Sequence, residues 1–396
     1  MGSLWPRFAV AESIFPGRFS TMIPLTKEDS LFLLAPHPDD ECLAMGGLIQ
    51  RAVEVGARVR VVFATNGDNN PWPQRFVERR LRVSPSDQQR WGDRRNAEAC
   101  AALDVLGLGA DSAHFLNLPD QGMTHLLMSA DAVVIEAMAR EIADCAPTLI
   151  VGPSRDDAHR DHSALHILLR LAVRKSGVTG ARCLDYVIHH ARFDPRETPV
   201  TLALTPEQRS RKLDAIHRHE TQMAMSRKRF SSYADRPENF WEPAACQCTH
   251  PFHPVRSAAI EGSVLRLVVP RQTFALAGRR LLLSMECESS GSLRWFVPLP
   301  MRMGANPIKD AQSGKEVCEG TCHRARGETI LDIPVSQWGN LSEIFVKITS
   351  SPLSFYDRSG WREVPALPAA PAVSSAPTRS FAKNGMNGGL SPRITR

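Results

Sequence analysis

The chain has 396 residues, of which 43% are hydrophobic and 23% charged, and its formal net charge is +6. This length and composition can bury a sizeable core in more than one domain, which excludes a wholly disordered chain. No apolar run reaches the roughly 18 residues that a membrane-spanning helix needs, and four of the six net positive charges lie within residues 365–396, so neither a transmembrane segment nor a nucleic-acid partner is expected.

The N-terminal residues lack the charged, apolar and cleavage regions of a secretory signal, so a cytoplasmic protein is expected. The nine cysteines are scattered and odd in number, which favours reduced thiols over a disulfide framework.

The first half of the chain alternates between strand and helix patterns. Residues 30–36 form an apolar run that predicts a strand buried on both faces, residues 43–55 have helical spacing, and residues 58–65 predict a second strand. The alternation continues with predicted helices at 93–106, 130–144, 162–174 and 205–223 and predicted strands at 114–118, 148–152 and 183–190. This pattern predicts a Rossmann-like, doubly wound and mostly parallel α/β sheet, whose ligands bind beyond the carboxyl ends of the strands.

The pattern changes after about residue 230, where short β-rich segments separated by turn residues predict a small all-β, sandwich-like domain. These segments are 264–269, 280–286, 293–299, 328–333 and 343–349. The last residues are rich in Pro, Ala, Ser and Gly, which predicts disorder. The expected divisions are an N-terminal extension (1–28), an α/β domain (29–230), a linker (231–257), a β domain (258–364) and a disordered tail (365–396).

A polar cluster directly follows the first predicted strand, at the edge where such a fold places its active site. His37, Asp39, Asp40 and Glu41 supply one imidazole and three carboxylates. The same residues also suit a polar turn, because Asp39 or Asp40 can cap the following helix and Glu41 favours its dipole.

A second cluster, which contains His159, Asp161 and His162, follows the predicted strand that ends at residue 152. Both clusters therefore project from one edge of the sheet. Two histidines and a carboxylate can supply the nitrogen and oxygen ligands of Zn²⁺ and leave a fourth position for water, and the same ligands accept Fe²⁺ or Co²⁺. A catalytic metal site explains the two clusters better than two unrelated turns do.

The paired motifs resemble those of the PIG-L or LmbE-like zinc-dependent N-acetylglucosaminyl de-N-acetylases. They are His37-Pro38-Asp39-Asp40-Glu41 and His159-Arg160-Asp161-His162, with further similarity at Arg95-x-x-Glu98 and at residues 118–123 and 212–222. The resemblance covers about residues 30–230. It implies that His37, Asp40 and His162 bind zinc and that Asp39 is the general base.

The resemblance also implies roles around these ligands. His159 would stabilise the oxyanion or protonate the leaving amine, and Asp161 would orient His159. Arg95 and Asp120 match positions that hold the sugar, although an arginine on a helix is also commonly paired with a neighbouring acid. Asp157 stands where some relatives carry a tyrosine.

The connection at residues 66–94 is long for this edge of a sheet, and it carries Trp72, Arg79 and Arg80. Aromatic rings suit sugar faces and arginines suit phosphates, so we expect this loop to cover the site and bind a phosphorylated or otherwise acidic sugar conjugate. The alternative is a solvated amphipathic helix over residues 76–82.

The expected function is that of a zinc-dependent hydrolase that removes the acetyl group from an N-acetylated amino sugar in a glycan, lipid-linked or small-molecule conjugate. One alternative keeps the metal but acts on the amide of a non-sugar or thiol conjugate. Another is a catalytically inactive carbohydrate-binding protein. The sequence does not determine the oligomeric state.

Overall fold

A computed structural model describes residues 23–189, 199–243, 253–270, 279–288, 291–325, 327–336, 339, 341–349, 356–357 and 359–365. Residues 1–22 and 366–396, which hold most of the predicted extension and tail, lie outside that part. Among the helices of the described residues, none is both long and apolar enough to cross a membrane.

The first layer is the predicted parallel sheet with its helices. Its strands are β1 (Ser30–Ala35), β2 (Arg58–Thr65), β3 (Ala113–Leu118), β4 (Leu149–Pro153) and β5 (Arg182–Tyr186). The helices are α1 (Asp40–Val55), α2 (Pro71–Glu78), α3 (Pro85–Leu106), α4 (Met123–Met128), α5 (Ala132–Cys145), α6 (Arg160–Ser176), α7 (Pro206–Arg218) and α8 (Glu220–Ser231). The strand order β3-β2-β1-β4-β5, with every pair parallel, confirms the doubly wound fold.

Burial on both faces explains why β1 reads as an unbroken apolar run. Leu31 and Leu33 pack into the apolar cluster on one side of the sheet, while Phe32 and Leu34 pack into the cluster on the other side. Successive side chains of a strand point to opposite faces, so a strand covered by helices on both sides must be apolar throughout.

The helix predicted over residues 205–223 is two helices, α7 and α8, which are separated at His219. The start of α7 is local in origin, because Thr205 and Gln208 form a capping box. His219 leaves the helical conformation (φ −78°, ψ 62°), and its buried side chain contacts Glu41. A tertiary contact here overrides a helical pattern in the sequence.

The second layer is all-β, as predicted. Its strands are β8 (Ser257–Glu261), β9 (Val264–Pro270), β10 (Arg280–Cys287), β11 (Gly291–Pro298), β12 (Gly304–Asp310), β13 (Glu316–Ala325), β14 (Glu328–Pro334), β15 (Leu341–Ile348) and β16 (Arg362–Val364), and β6 (Val200–Leu202) pairs separately with β7 (Glu238–Phe240). Strands β8 to β16 form one antiparallel sheet in the order β16-β15-β10-β11-β12-β13-β14-β9-β8. Its two edge strands, β16 and β8, contact each other. The sheet is thus nearly closed, rather than divided into the two sheets of a sandwich.

The two layers are joined by apolar packing and by a buried hydrogen bond. Leu282, Phe345 and Trp361 of the β layer belong to the same apolar cluster as residues of α4, α5 and α6. Lys347, which is also buried, lies 2.8 Å from Asp357 and donates a hydrogen bond to Ser163 of α6 at 3.0 Å. The β layer is therefore packed directly against the helix that follows β4.

We expect Trp361→Ala to lower the free energy of unfolding by about 3–5 kcal/mol, because it removes a fully buried indole from this shared cluster. Urea unfolding measures the change. Trp72→Ala is the matched control, since Trp72 is 58% exposed and its loss should cost less than about 1 kcal/mol. Equal effects of the two substitutions would contradict the described packing.

Candidate active site

The two polar clusters meet because the strands that precede them are neighbours. β1 and β4 pair in parallel, with Leu31, Phe32 and Leu33 opposite Leu149, Ile150 and Val151. Both strands therefore end at the same edge of the sheet. The segments that follow them bring together the side chains of His37, Asp40, His159 and His162, all of which are buried.

The carboxylate of Asp40 lies between the imidazoles of His37 and His162. Oδ2 of Asp40 lies 3.2 Å from Nδ1 of His37 and 3.3 Å from Nε2 of His162. Ligands about 2.0–2.1 Å from a tetrahedral Zn²⁺ are separated by about 3.3–3.4 Å. Nε2 of His162 is buried and makes no hydrogen bond of acceptable geometry within the described part of the chain. Asp40 thus lies between the two histidines, and these three side chains are candidate metal ligands.

Asp157 orients the imidazole of His162. Its Oδ2 lies 3.2 Å from Nδ1 of His162 and accepts hydrogen bonds from the backbone amides of Ile188 and His189, while its Oδ1 accepts one from the amide of His159. A proton held on Nδ1 leaves the lone pair of Nε2 free for a metal. Burial raises the pKa of Asp157, but the neighbouring His162 outweighs burial and brings the pKa below its ordinary value.

Two further carboxylates hold the other side of His37. Its Nε2 lies 3.3 Å from Oδ1 of Asp120 and 3.4 Å from Oδ2 of Asp161. Asp161 also accepts hydrogen bonds from the backbone amides of Gln121 and Met123, at 2.7 and 3.2 Å. Burial lowers the pKa of His37, but Asp120 and Asp161 outweigh it and hold the pKa well above its ordinary value.

The two aspartates also make contacts that the expected roles did not include. The carboxylate of Asp161 contacts His37, and its link to His159 runs through its own backbone amide, which donates to Nδ1 of His159 at 3.2 Å. Asp120 contacts His37 and accepts a hydrogen bond from the backbone of Asn69 at 2.8 Å. Contact of Asp120 with a sugar stays a prediction.

His159 caps the N-terminus of α6 and faces both candidate ligand histidines, His37 and His162. Its ring centroid is 4.9 Å from that of His37 and 4.8 Å from that of His162. Burial, followed by the charges of His162 and His37, holds its pKa well below the ordinary value, so the ring is neutral. Because Nδ1 accepts the amide of Asp161, the single proton belongs on Nε2. His159 can therefore donate a hydrogen bond from Nε2.

Asp39 has a strained backbone that two buried side chains support. Its φ is 136°, a region that non-glycine residues rarely adopt. Oε2 of Glu41 accepts the amide of Asp39 at 2.9 Å, and Oε1 of Glu41 lies 2.7 Å from Nε2 of His219. Glu41 thus accepts a hydrogen bond from the backbone of Asp39, in addition to lying in the first turn of α1.

Arg95 is placed against the same turn. It is only 5% exposed, and its guanidinium donates to the backbone carbonyls of Pro38 and Gly67 and lies 3.6 Å from Oδ1 of Asp39. Burial raises the pKa of Asp39 to about 6, against the opposing charge of Arg95. The contact of Arg95 with substrate stays a prediction. Its observed contacts hold the turn that carries Asp39, a buried carboxylate whose pKa lies near neutral pH.

Trp72, Arg79 and Arg80 lie on or just after α2. Trp72 and Arg79 are exposed, and Arg80 pairs with Asp87 at 2.9 Å. Within the described residues, no hydrogen bond or ion pair joins these three side chains to the histidine cluster. Their part in substrate binding stays a prediction.

Three residues near the site were not among those expected from the motifs. The ring of His189 lies 4.9 Å from that of His162, and Tyr356 of the β layer lies 5.5 Å from His159 between ring centroids. His219 reaches Glu41 from the break between α7 and α8. Strand alternation could indicate that one of His189 and its neighbour faces the site, whereas no local pattern points to His219 or Tyr356.

Comparison with known families and proteins bears on the first half of the chain. Residues 32–173 match the family described as PIG-L: GlcNAc-PI de-N-acetylase. These residues form a PIG-L family domain. The match confirms the resemblance expected from the two motifs, and the PIG-L domain contains all three candidate metal ligands, Asp39 and His159.

Several similar curated proteins are described as deacetylases. The 1D-myo-inositol 2-acetamido-2-deoxy-alpha-D-glucopyranoside deacetylase of Mycobacterium sp. (strain KMS) is 33% identical over 160 residues, which cover 37% of this chain and 50% of that protein. The protein of the same name from Rhodococcus jostii (strain RHA1) is 30% identical over 171 residues, which cover 38% of this chain and 55% of that protein. The chain therefore spans about half the length of these relatives.

A solved structure of a conserved protein from Thermus thermophilus is also similar. It superposes with a TM-score of 0.42 at 23% identity and covers 56% of this chain and 97% of that one.

We expect Asp157→Asn to weaken zinc binding by about 10- to 100-fold, because it removes the negative charge beside His162 and replaces one of the two acceptor oxygens with an NH₂ donor. Competition with a chromogenic chelator measures the dissociation constant. Asp104→Asn is the control, since Asp104 is exposed on α3 and should bind zinc like the wild type. Equal affinity in the Asp157 variant, with folding intact by circular dichroism, would rule out this orienting role.

Proposed function

We propose that this chain is a metal-dependent hydrolase that removes the acetyl group from an N-acetylglucosaminyl-type sugar in a glycan, lipid-linked or small-molecule conjugate. The observation that carries the proposal is the spacing of His37, Asp40 and His162 at 3.2 and 3.3 Å beside a separate buried carboxylate, Asp39. A merely structural metal site would not need that additional carboxylate. The deacetylase relatives of the PIG-L domain support the same reaction.

His37, Asp40 and His162 would hold the metal, and zinc suits this mixture of nitrogen and oxygen donors. When bound, such an ion polarises an acyl oxygen and brings the pKa of water towards about 7. The remaining chemistry belongs to the side chains around it, which must take a proton from water and deliver one to the leaving amine.

Asp39 is suited to the first of these proton transfers. Its pKa of about 6, raised by burial, keeps the carboxylate ionised at neutral pH yet basic enough to accept a proton from the attacking water. The strained turn directs Asp39 and Asp40 differently, so one carboxylate can act as base while the other binds the metal. The protonated Asp39 then returns the proton to the nitrogen as the amide C–N bond breaks.

His159 is suited to stabilise negative charge on the acyl oxygen. Nε2 carries the proton of its neutral ring, so the ring can donate a hydrogen bond as charge develops on that oxygen. Asp161 fixes this tautomer through its backbone amide. His159 thus acts as a fixed donor next to the ligand histidines.

The proposed substrate class follows the relatives, one of which acts on a 2-acetamido-2-deoxy-glucopyranoside. Trp72, Arg79 and Arg80 would extend the binding site towards an acidic or phosphorylated part of the conjugate. The exposure of Trp72 and Arg79 leaves both side chains available for such a contact.

Asp39→Asn should lower acetate release by about 10²–10⁴-fold while zinc content stays at the wild-type value, because the amide cannot accept the proton. Acetate is measured with a panel of N-acetylglucosamine, N,N′-diacetylchitobiose and N-acetylated non-sugar amines. Asp104→Asn is the control. Full activity of Asp39→Asn would exclude this base, release only from the non-sugar amines would favour a different amidase, and sugar binding without release would favour a binding protein.

His219→Ala should lower kcat by about 10-fold with little change in KM or zinc affinity, because Glu41 loses the partner that holds it against Asp39. His219→Gln, which retains a donor, should restore part of the loss. His217→Ala is the matched control, since His217 lies on the last turn of α7 and contacts Ser231 instead. A proportional loss of folded protein, rather than of kcat, would show that His219 is only structural.

A further inference from the structure

We propose that Tyr356 of the β layer contacts the substrate, and that its ring, together with His189, forms an aromatic wall against which the sugar ring packs. This inference rests on the proposed function and deepens it, because it assigns part of substrate recognition to a residue far outside the PIG-L domain.

The backbone of Tyr356 is attached to the catalytic segment before α6. Tyr356 forms an antiparallel bridge with His159, and the amide of Asp357 donates to the carbonyl of Ala158 at 2.9 Å. The position of Tyr356 is thus set relative to a residue that faces the metal-ligand histidines.

Charged contacts reinforce this attachment. The buried carboxylate of Asp357 lies 3.2 Å from Nε of Arg160 and 2.8 Å from Nζ of Lys347. One of these partners belongs to α6 and the other to β15, so the segment that carries Tyr356 is connected to both layers. Such buried, paired charges hold a segment in one arrangement more firmly than exposed pairs do.

A close backbone approach completes the attachment. The amide of Trp361 donates to the carbonyl of Arg155 at 2.9 Å. A Cβ atom at Gly360 would collide with that same carbonyl, so glycine permits these two segments of the chain to lie this close. Tyr356, Asp357 and Trp361 therefore all contact the segment between β4 and α6.

The ring of Tyr356 lies at the rim of the site. Its centroid is 5.5 Å from that of His159, at an interplanar angle of 82°, and 5.2 Å from that of His189. These are the separations of edge-to-face aromatic pairs. Nevertheless 43% of Tyr356 is exposed, so core packing does not account for its placement.

The neighbouring groups suit a sugar. Aromatic rings offer flat apolar surface for the C–H face of a pyranose, and polar donors beside them suit its hydroxyls. Arg229 of α8 lies beside these rings, with one guanidinium nitrogen 3.3 Å from Nδ1 of His189. A guanidinium carries five N–H donors, so Arg229 has more than one to offer. The wall formed by Tyr356 and His189 thus combines stacking surface with hydrogen-bonding capacity next to the proposed reaction centre.

The test uses the full zinc-loaded chain and N,N′-diacetylchitobiose. Tyr356→Leu should raise KM about 3- to 10-fold, whereas Tyr356→Phe and Tyr356→Trp should stay near the wild-type value because they keep an aromatic face. Zinc content should not change. Met303→Ala is the control, since Met303 is an exposed apolar residue of the β layer that is 49% accessible. An unchanged KM in Tyr356→Leu would overturn the proposal.

A second readout separates this inference from the proposed activity. Calorimetric binding of N,N′-diacetylchitobiose is measured in the Asp39→Asn background, with and without Tyr356→Leu. Weaker binding in the double variant supports the aromatic wall even if the wild type releases no acetate, an outcome that would overturn only the deacetylase activity. Acetate release with equal binding in both variants would retain the activity and overturn the role of Tyr356.

Discussion

The parallel pairing of β1 with β4 is the constraint on which the candidate site depends. The two strands are separated by more than 110 residues of chain, yet they lie side by side at the centre of the sheet and end at the same edge. Asp40 follows one strand and His162 follows the other, and their donor atoms come within 3.3 Å. A change in strand order would leave both motifs intact in the sequence but would separate Asp40 from His162.

The buried acids around this pair differ in the direction of their pKa shifts because their surroundings differ. Burial raises the pKa of both Asp157 and Asp39, but His162 and the hydrogen bonds of Asp157 outweigh burial and lower its pKa, whereas the pKa of Asp39 stays raised to about 6. Asp120 and Asp161 hold His37 in place. Carboxylates of one residue type can thus orient a ligand, bind a metal or accept a proton, according to the partners that the fold provides.

The β layer is part of the same structural unit as the sheet that carries the PIG-L domain. Its apolar residues share a cluster with α4–α6, and its Asp357 bonds to the segment before α6. Because α6 begins with the second histidine motif, this packing bears directly on the site. The β layer therefore contacts the edge of the sheet where the candidate site lies. A separate domain without such contacts would not affect that edge.

The sequence by itself determined the strand–helix alternation, the all-β second layer and the ligand candidates His37, Asp40 and His162, because periodicity and polar clusters at strand ends are local properties. β12 and β13 were not predicted, since they carry Gly, Pro and charged residues in place of an apolar alternation. Only the tertiary structure decided that Asp161 holds His37, that His219 supports Glu41 and that Tyr356 lies beside His159. Each of these contacts joins residues more than 120 positions apart, so it depends on which elements pack together and has no signature in the neighbouring sequence.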